Sequence, residues 1–178
     1  VAPKGGAYGR DDDGRLNGLL EETAAQVLQE MAMDVGAIGF LKMAKAAGQE
    51  YAQYGVTTAQ SGAVDANVAQ GLKIASILRL IPMRLEIWPV FDSLGEELLA
   101  GTTSIDALGS HHLKAGAVKI IADGSIQGYT GYLSKPYLQP FHGDDEYRGY
   151  PRVPLDDLVD YVKRYSKAGY QLAIHGNG

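Results

Sequence analysis

The run Ala117-Val118-Lys119-Ile120-Ile121-Ala122, leading straight into Asp123-Gly124-Ser125, limits the folds open to this chain more than any other stretch. A short apolar segment without polar alternation reads as a strand covered on both faces, the pattern of a parallel sheet. Lys119 interrupts it. Lysine is among the residues least often buried unless it is paired or coordinates something. It therefore either snorkels at the strand end or takes part in chemistry.

On either side of this run the chain alternates between helical and strand-like segments. Glu21–Met33 reads as a short helix with Glu21 and Glu22 in its first turn, where the dipole favours negative charge. From Ile38 to Tyr54, Phe40, Leu41, Ala44, Ala47 and Tyr51 form one apolar stripe, and Gly55 supplies the cap. Val56-Thr57-Thr58-Ala59 follows as a strand closed by Ser61-Gly62. Asp65–Leu80 is the next helix, with Val68, Leu72 and Ala75 inward and Pro82 as its stop. Met83–Phe91 is a strand ending near Pro89, and Asp92–Leu108 holds a weaker helix or two short ones. After the opening strand, Leu155, Leu158, Val159 and Val162 mark a helix that Pro154 opens and Gly169 caps. Tyr170–His175 is the last strand.

Four strands alternating with helices imply a parallel sheet with right-handed crossovers. No G-x-G-x-x-G follows the first strand and no phosphate-binding P-loop is present, so nucleotide-binding folds lose their main support. A (β/α)8 barrel takes about 250 residues. The expected fold class is therefore α/β, a partial TIM (β/α)8 barrel comprising roughly strands 2–5 with their helices. Residues 1–36 are expected to form an inserted hairpin and short helix, with Tyr8-Gly9-Arg10 and Arg15–Leu20 as arms around Asp11-Asp12-Asp13-Gly14. Residues 37–178 are expected to form the partial barrel, with 126–152 as a lid-like excursion.

Composition narrows the function classes. The net charge of -5 argues against a nucleic-acid surface, and 0 cysteines exclude disulfides and thiolate chemistry. No apolar run approaches the roughly 20 residues that span a bilayer, and a cytoplasmic location is expected. The start at Val1 and the stop after His175-Gly176-Asn177-Gly178 both look cut. The chain is thus expected to be a piece of a longer protein.

In a (β/α)8 barrel, reactive groups sit at the C-terminal ends of the strands. Two strands here carry ligand-type residues: Lys119 ahead of Asp123-Gly124-Ser125, and His175 before a Gly-Asn-Gly turn. With period-two alternation, Gln171, Ala173 and His175 share one face, and Leu172 and Ile174 turn toward the helices. Taken singly, a snorkelling lysine and a structural histidine are equally good accounts; the pair on consecutive strands says more. His111 and His112 precede a strand and read as structural. His142 lies in the excursion, where solvated and substrate-contacting roles are both open.

Several blocks in order resemble a metal-dependent amidohydrolase, of the branch containing N-substituted formamide deformylases and exoenzyme-regulatory homologues. They are Gly5-Gly6 through Arg10–Glu21, Tyr54–Thr58, Val118–Ser125, Leu133–Tyr137 and Gln171–Gly178. The resemblance implies a (β/α)8 barrel beside a small β-sandwich, and one or two divalent ions, most often zinc. It implies a carboxylated Lys119 as bridging ligand and His175 as ligand to the second metal. It also implies that Asp123 and Ser125 shape the substrate site, to which Tyr129 and His142 are assigned as substrate-binding candidates. The family's His-x-His pair, sixth-strand histidine and eighth-strand aspartate have no counterpart in this stretch. The implied activity is therefore hydrolysis of a C–N bond in a small molecule by a metal-activated hydroxide, performed by the full-length enzyme. This stretch alone, without a catalytic residue of its own, is expected to be inactive. Two other readings stay open: a regulatory or interaction protein that kept a half-barrel and self-associates through its open edges, and an unrelated α/β enzyme with a Schiff-base Lys119.

Overall fold

The computed structural model describes residues 1–178 other than Lys4 and Asp34, and the side chains of Val27, Glu30 and Met33 are likewise outside the description. The chain divides into two compact units. One comprises Val1–Asp34, Ile121–Asp160 and Ile174–Gly178, the other Val35–Ile120 and Tyr161–Ala173.

In the first unit, β1 (Gly6–Arg10) and β2 (Leu16–Glu22) form the expected antiparallel hairpin. Its turn closes where Gly14 N–H donates to the Asp11 carbonyl and Arg15 N–H to Asp11 Oδ1. Gly14 has φ 75°, a left-handed geometry that glycine adopts without penalty. The placement of Glu21 and Glu22 in a helix is corrected. They end β2, paired with Ala7 and Gly6, and α1 (Gln26–Met33) begins only after a 3-10 turn at Thr23–Ala25. The ladder takes up the two residues that would have opened a helix. The excursion 126–152 holds no helix or strand longer than an isolated bridge.

The second unit carries α2 (Gly36–Gln53), β3 (Thr58–Val64), α3 (Ala66–Ile77), β4 (Arg84–Pro89), α4 (Leu94–Ala100), α5 (Ile105–Leu108) and β5 (Leu113–Ala115). β3, β4 and β5 form a parallel sheet in that order. β6 (Val118–Ile121) and β7 (Leu172–His175) form another pair. α6 (Leu155–Lys167) lies between them in sequence. A parallel bridge from Val90 to Lys119 continues the pairing from the end of β4 to β6. The architecture is mixed α/β with parallel strands. β5 was not anticipated, because three residues after a His-His pair give too short a period to read. β3 also starts later than expected and runs through Ser61-Gly62 to Val64, since Ser61 pairs with Ile87 across the ladder.

Ile87 is fully buried between Val64, Ala69, Leu94 and Leu113, and Ala75 packs with Ile81 and Met83. These two clusters are the inward faces of α3 and β4, as the spacing of Val68, Leu72 and Ala75 implies. The stripe on α2 is shorter than expected: Tyr51 is exposed and Gly48 is the buried residue, against Pro82 and Ile81. On α6, Leu155 is exposed and Tyr165 is the fully buried side chain. Its hydroxyl donates to the Phe91 carbonyl at 2.5 Å, which satisfies a polar atom that the apolar stripe could not foresee. Ile174, expected to face the helices, is 47% exposed.

Candidate functional site

Lys119 belongs to the second unit. Val118 and Ile120 on either side of it are fully buried, so alternation sends Lys119 to the opposite face of the sheet. Glu86 and Trp88 lie on that same face of β4, flanking the buried Ile87. Lys119 Nζ stands 5.7 Å from the Trp88 ring centroid, within cation–π reach. Trp88 Nε1 in turn donates to Glu86 Oε1 at 2.7 Å. This group was missed by sequence reasoning, although Glu86 and Trp88 at alternate positions of a strand were a legible signal.

Asp123, Ser125 and His175 belong to the first unit. Asp123 is 4% exposed, yet its carboxylate is fully engaged. Oδ2 accepts from the N–H groups of Tyr132 (2.9 Å) and Gly178 (2.8 Å), and Oδ1 accepts from Asn177 N–H (2.9 Å). A buried carboxylate is tolerated where such donors replace water. The effect is mechanical: the turn after β7 and the start of the excursion are tied to one side chain. His175 Nε2 lies 3.8 Å from Asp123 Oδ1 and 3.0 Å from the Gly124 carbonyl. Asn177 Nδ2 donates to the same carbonyl at 2.7 Å. His175 Nε2 also lies 3.0 Å from Asn177 Nδ2, so the tautomer decides whether Nε2 donates to the carbonyl or accepts from the amide.

Ser125 organises the bend rather than projecting from it. Its Oγ accepts from Gly128 N–H, and its carbonyl accepts from Thr130 and Gly131. Thr130, 3% exposed, is the other hub. Its Oγ1 accepts from Ser125 N–H and donates to Glu22 Oε1 at 2.6 Å, while Arg152 pairs with Glu22 Oε2 at 3.4 Å. Gly124 is required here, because a Cβ would meet Thr130 Oγ1 and Glu22 Oε1 well inside contact distance.

Tyr129 and His142 both have left-handed backbones, at φ 57° and 53°, which costs about 1–3 kcal/mol each. They are joined through Phe141, which stacks on Tyr129 at 5.0 Å and meets His142 edge-on at 4.3 Å. Tyr137 and Tyr147 complete the stack. Burial raises the pKa of Tyr137 and takes Tyr147 to about 12, with Glu21, Tyr137 and Asp144 adding repulsion at Tyr147. Tyr150 is raised by burial first and then by Glu21 and Glu22; in the second unit, burial raises Tyr165. A raised phenol favours the protonated fold. That stability is complete below pH 10 and is lost as pH rises through the folded values, about 12 for Tyr147. In a phenolate absorbance titration these four are expected to ionise above the ordinary tyrosine value. Ionisation of these four at the ordinary value of about pH 10 would contradict the packing described.

Among the described residues, no three His, Cys, Asp or Glu side chains converge to hold a metal ion. Asp123 spends its oxygens on amides, and His175 Nε2 stands 3.8 Å from Oδ1. By themselves these residues do not make a complete donor set. A family model described as Amidohydrolase family matches residues 1–178. The chain belongs to the amidohydrolase family. Solved structures similar to this amidohydrolase chain include two described as uncharacterized metal-dependent hydrolases. The one from Pyrococcus horikoshii OT3 has a TM-score of 0.71 at 17% identity, covering 95% of this chain and 34% of its own. The one from Pyrococcus furiosus has a TM-score of 0.66 at 20% identity, covering 93% and 34%. At these identities the likeness is one of fold, and the chain spans about a third of either structure's length. No curated protein matches it. Among the described residues, no helix of the amidohydrolase chain is long and apolar enough to cross a membrane.

Proposed function

We propose that this chain is a partial (β/α)8 barrel, roughly strands 2–5 with their helices, from a metal-dependent hydrolase of small-molecule C–N bonds in the formamide-deformylase branch. The observation that carries the reading is Lys119: a lysine on the open face of a parallel strand, in a chain matched by an amidohydrolase model over its whole length. The names of the two Pyrococcus structures agree with a metal-dependent hydrolase. In this reading Lys119, as its carbamate, and His175 are two of the ligands of a divalent ion, most often zinc. The other ligands lie outside the described residues. Bound in the complete protein, such an ion supplies Lewis-acid activation of water.

The chain's own contributions are positional. Asp123 fixes the turn that carries Asn177 and so the surroundings of His175; Ser125 and Thr130 hold the bend beside it. Tyr129 and His142 offer an aromatic face to substrate, and the raised phenols around them act as neutral surfaces at physiological pH. A small-molecule substrate, cytoplasmic location and self-association belong to the same reading, with nucleic acid and membrane as partners excluded from it. The test is metal stoichiometry by atomic absorption, on the complete protein and on residues 1–178. The complete protein is expected to hold one or two divalent ions, and residues 1–178 none. Tight stoichiometric metal on the shorter chain would overturn the missing-ligand argument, and a metal-free complete protein would favour a regulatory protein instead.

A further inference from the structure

We propose that the groove at the starting ends of β3 and β4 is a binding site for a small organic carboxylate. The groove is a half-open cleft of about 400 Å³. Two guanidinium side chains, Arg79 and Arg84, line it together with His112. Its apolar wall is Val56 with the buried Ile81 and Met83. A few charged groups set against an apolar wall is the usual make-up of a small-ligand site.

The charge is uncompensated. The chain carries a net -5, yet among the described residues neither Arg79 nor Arg84 has a carboxylate within ion-pair distance. Arg84 is held by a hydrogen bond from Nε to Thr58 Oγ1 at 3.0 Å, which leaves its terminal nitrogens for a ligand. A guanidinium fork matches a carboxylate in two parallel hydrogen bonds.

Arg79 makes the stronger argument. It follows Leu78, the C-cap of α3. Arg79 N–H donates to the Ser76 carbonyl and Leu80 N–H to the Ala75 carbonyl. This is the Schellman pattern, whose left-handed position usually holds glycine. Arg79 occupies it at φ 55°. A cation serving only the helix dipole could sit unstrained in the last turn, which has no basic residue. Strain at this position instead aims a guanidinium into the groove. The site stands apart from Lys119, whose bridge partner Val90 follows the far end of β4, and it does not depend on the proposed hydrolase reading.

The test is calorimetric titration of the protein with benzoate, benzyl alcohol and inorganic phosphate, repeated on Arg79→Gly and Arg84→Leu. Labelled Met83 methyl resonances report whether binding is at this groove. Benzoate is expected to bind and to move Met83, with benzyl alcohol and phosphate each at least roughly tenfold weaker. Both variants are expected to lose at least roughly tenfold in benzoate affinity, while Arg79→Gly melts at or above the parent temperature. Absence of saturable benzoate binding, unchanged affinity in both variants, or an unmoved Met83 would overturn the site. Phosphate binding as tightly as benzoate would overturn the carboxylate assignment.

Discussion

Alanine at Lys119 is expected to leave the fold standing and to remove the metal from the complete protein. The structural cost is small. Lys119 is half-buried on the open sheet face, and the contact it loses, with the Trp88 ring, is worth about 0.5–1 kcal/mol. The functional cost under the proposed reading is large. Outer-shell partners of metal ligands already cost roughly 10–100-fold in affinity, and loss of a direct ligand would exceed about 100-fold. Far-ultraviolet circular dichroism and an unchanged melting profile check that the fold is otherwise retained. Equal metal content in parent and Lys119→Ala would end the carbamate assignment. Trapping of a carbonyl compound on Lys119 by borohydride would replace it with Schiff-base chemistry.

Asp123→Ala is expected to lower stability by about 3 kcal/mol, a figure below the sum of its parts for a stated reason. Hydrogen bonds to a charged group contribute about 1.5–3 kcal/mol each, and Asp123 accepts from Tyr132, Asn177 and Gly178. All three donors belong to exposed residues, so water can partly replace the lost acceptor. Asp123→Asn does not rescue: one of its two positions becomes an N–H facing an N–H. Urea unfolding gives the total. Hydrogen exchange gives the locality, with the amides of residues 132, 177 and 178 losing protection first. Unchanged exchange at those three amides would show that the carboxylate is not the tie described.

The helices and most strands were legible because their signals are local. Val68, Leu72 and Ala75 recur at helical spacing and do face the clusters around Ile87 and Met83. Pro89 ends β4 and Gly169 closes the turn after α6, both as their backbone chemistry requires. Local signals failed where a partner strand or a distant atom decided. Glu21 and Glu22 look like a helix start, but the ladder with β1 claims them. Leu155 has the right spacing to be buried and is exposed, while Tyr165 is buried because its hydroxyl finds the Phe91 carbonyl 74 residues away.

The site divides along the same line. Sequence alone marked Lys119, the Asp-Gly-Ser turn and His175, since a charge inside an apolar strand and a histidine at a strand end are anomalies that need no partner to be noticed. What each side chain touches is decided only by tertiary contacts. Asp123 takes its donors from 9, 54 and 55 residues away, and Lys119 meets a ring on a different strand. Arg79 gains its groove from residues that reach it only once β3 and β4 pair. Periodicity and turn chemistry are properties of neighbours along the chain. Hydrogen-bond partners, ring contacts and cavities are properties of neighbours in space, and crossover connections bring those together without leaving a local trace.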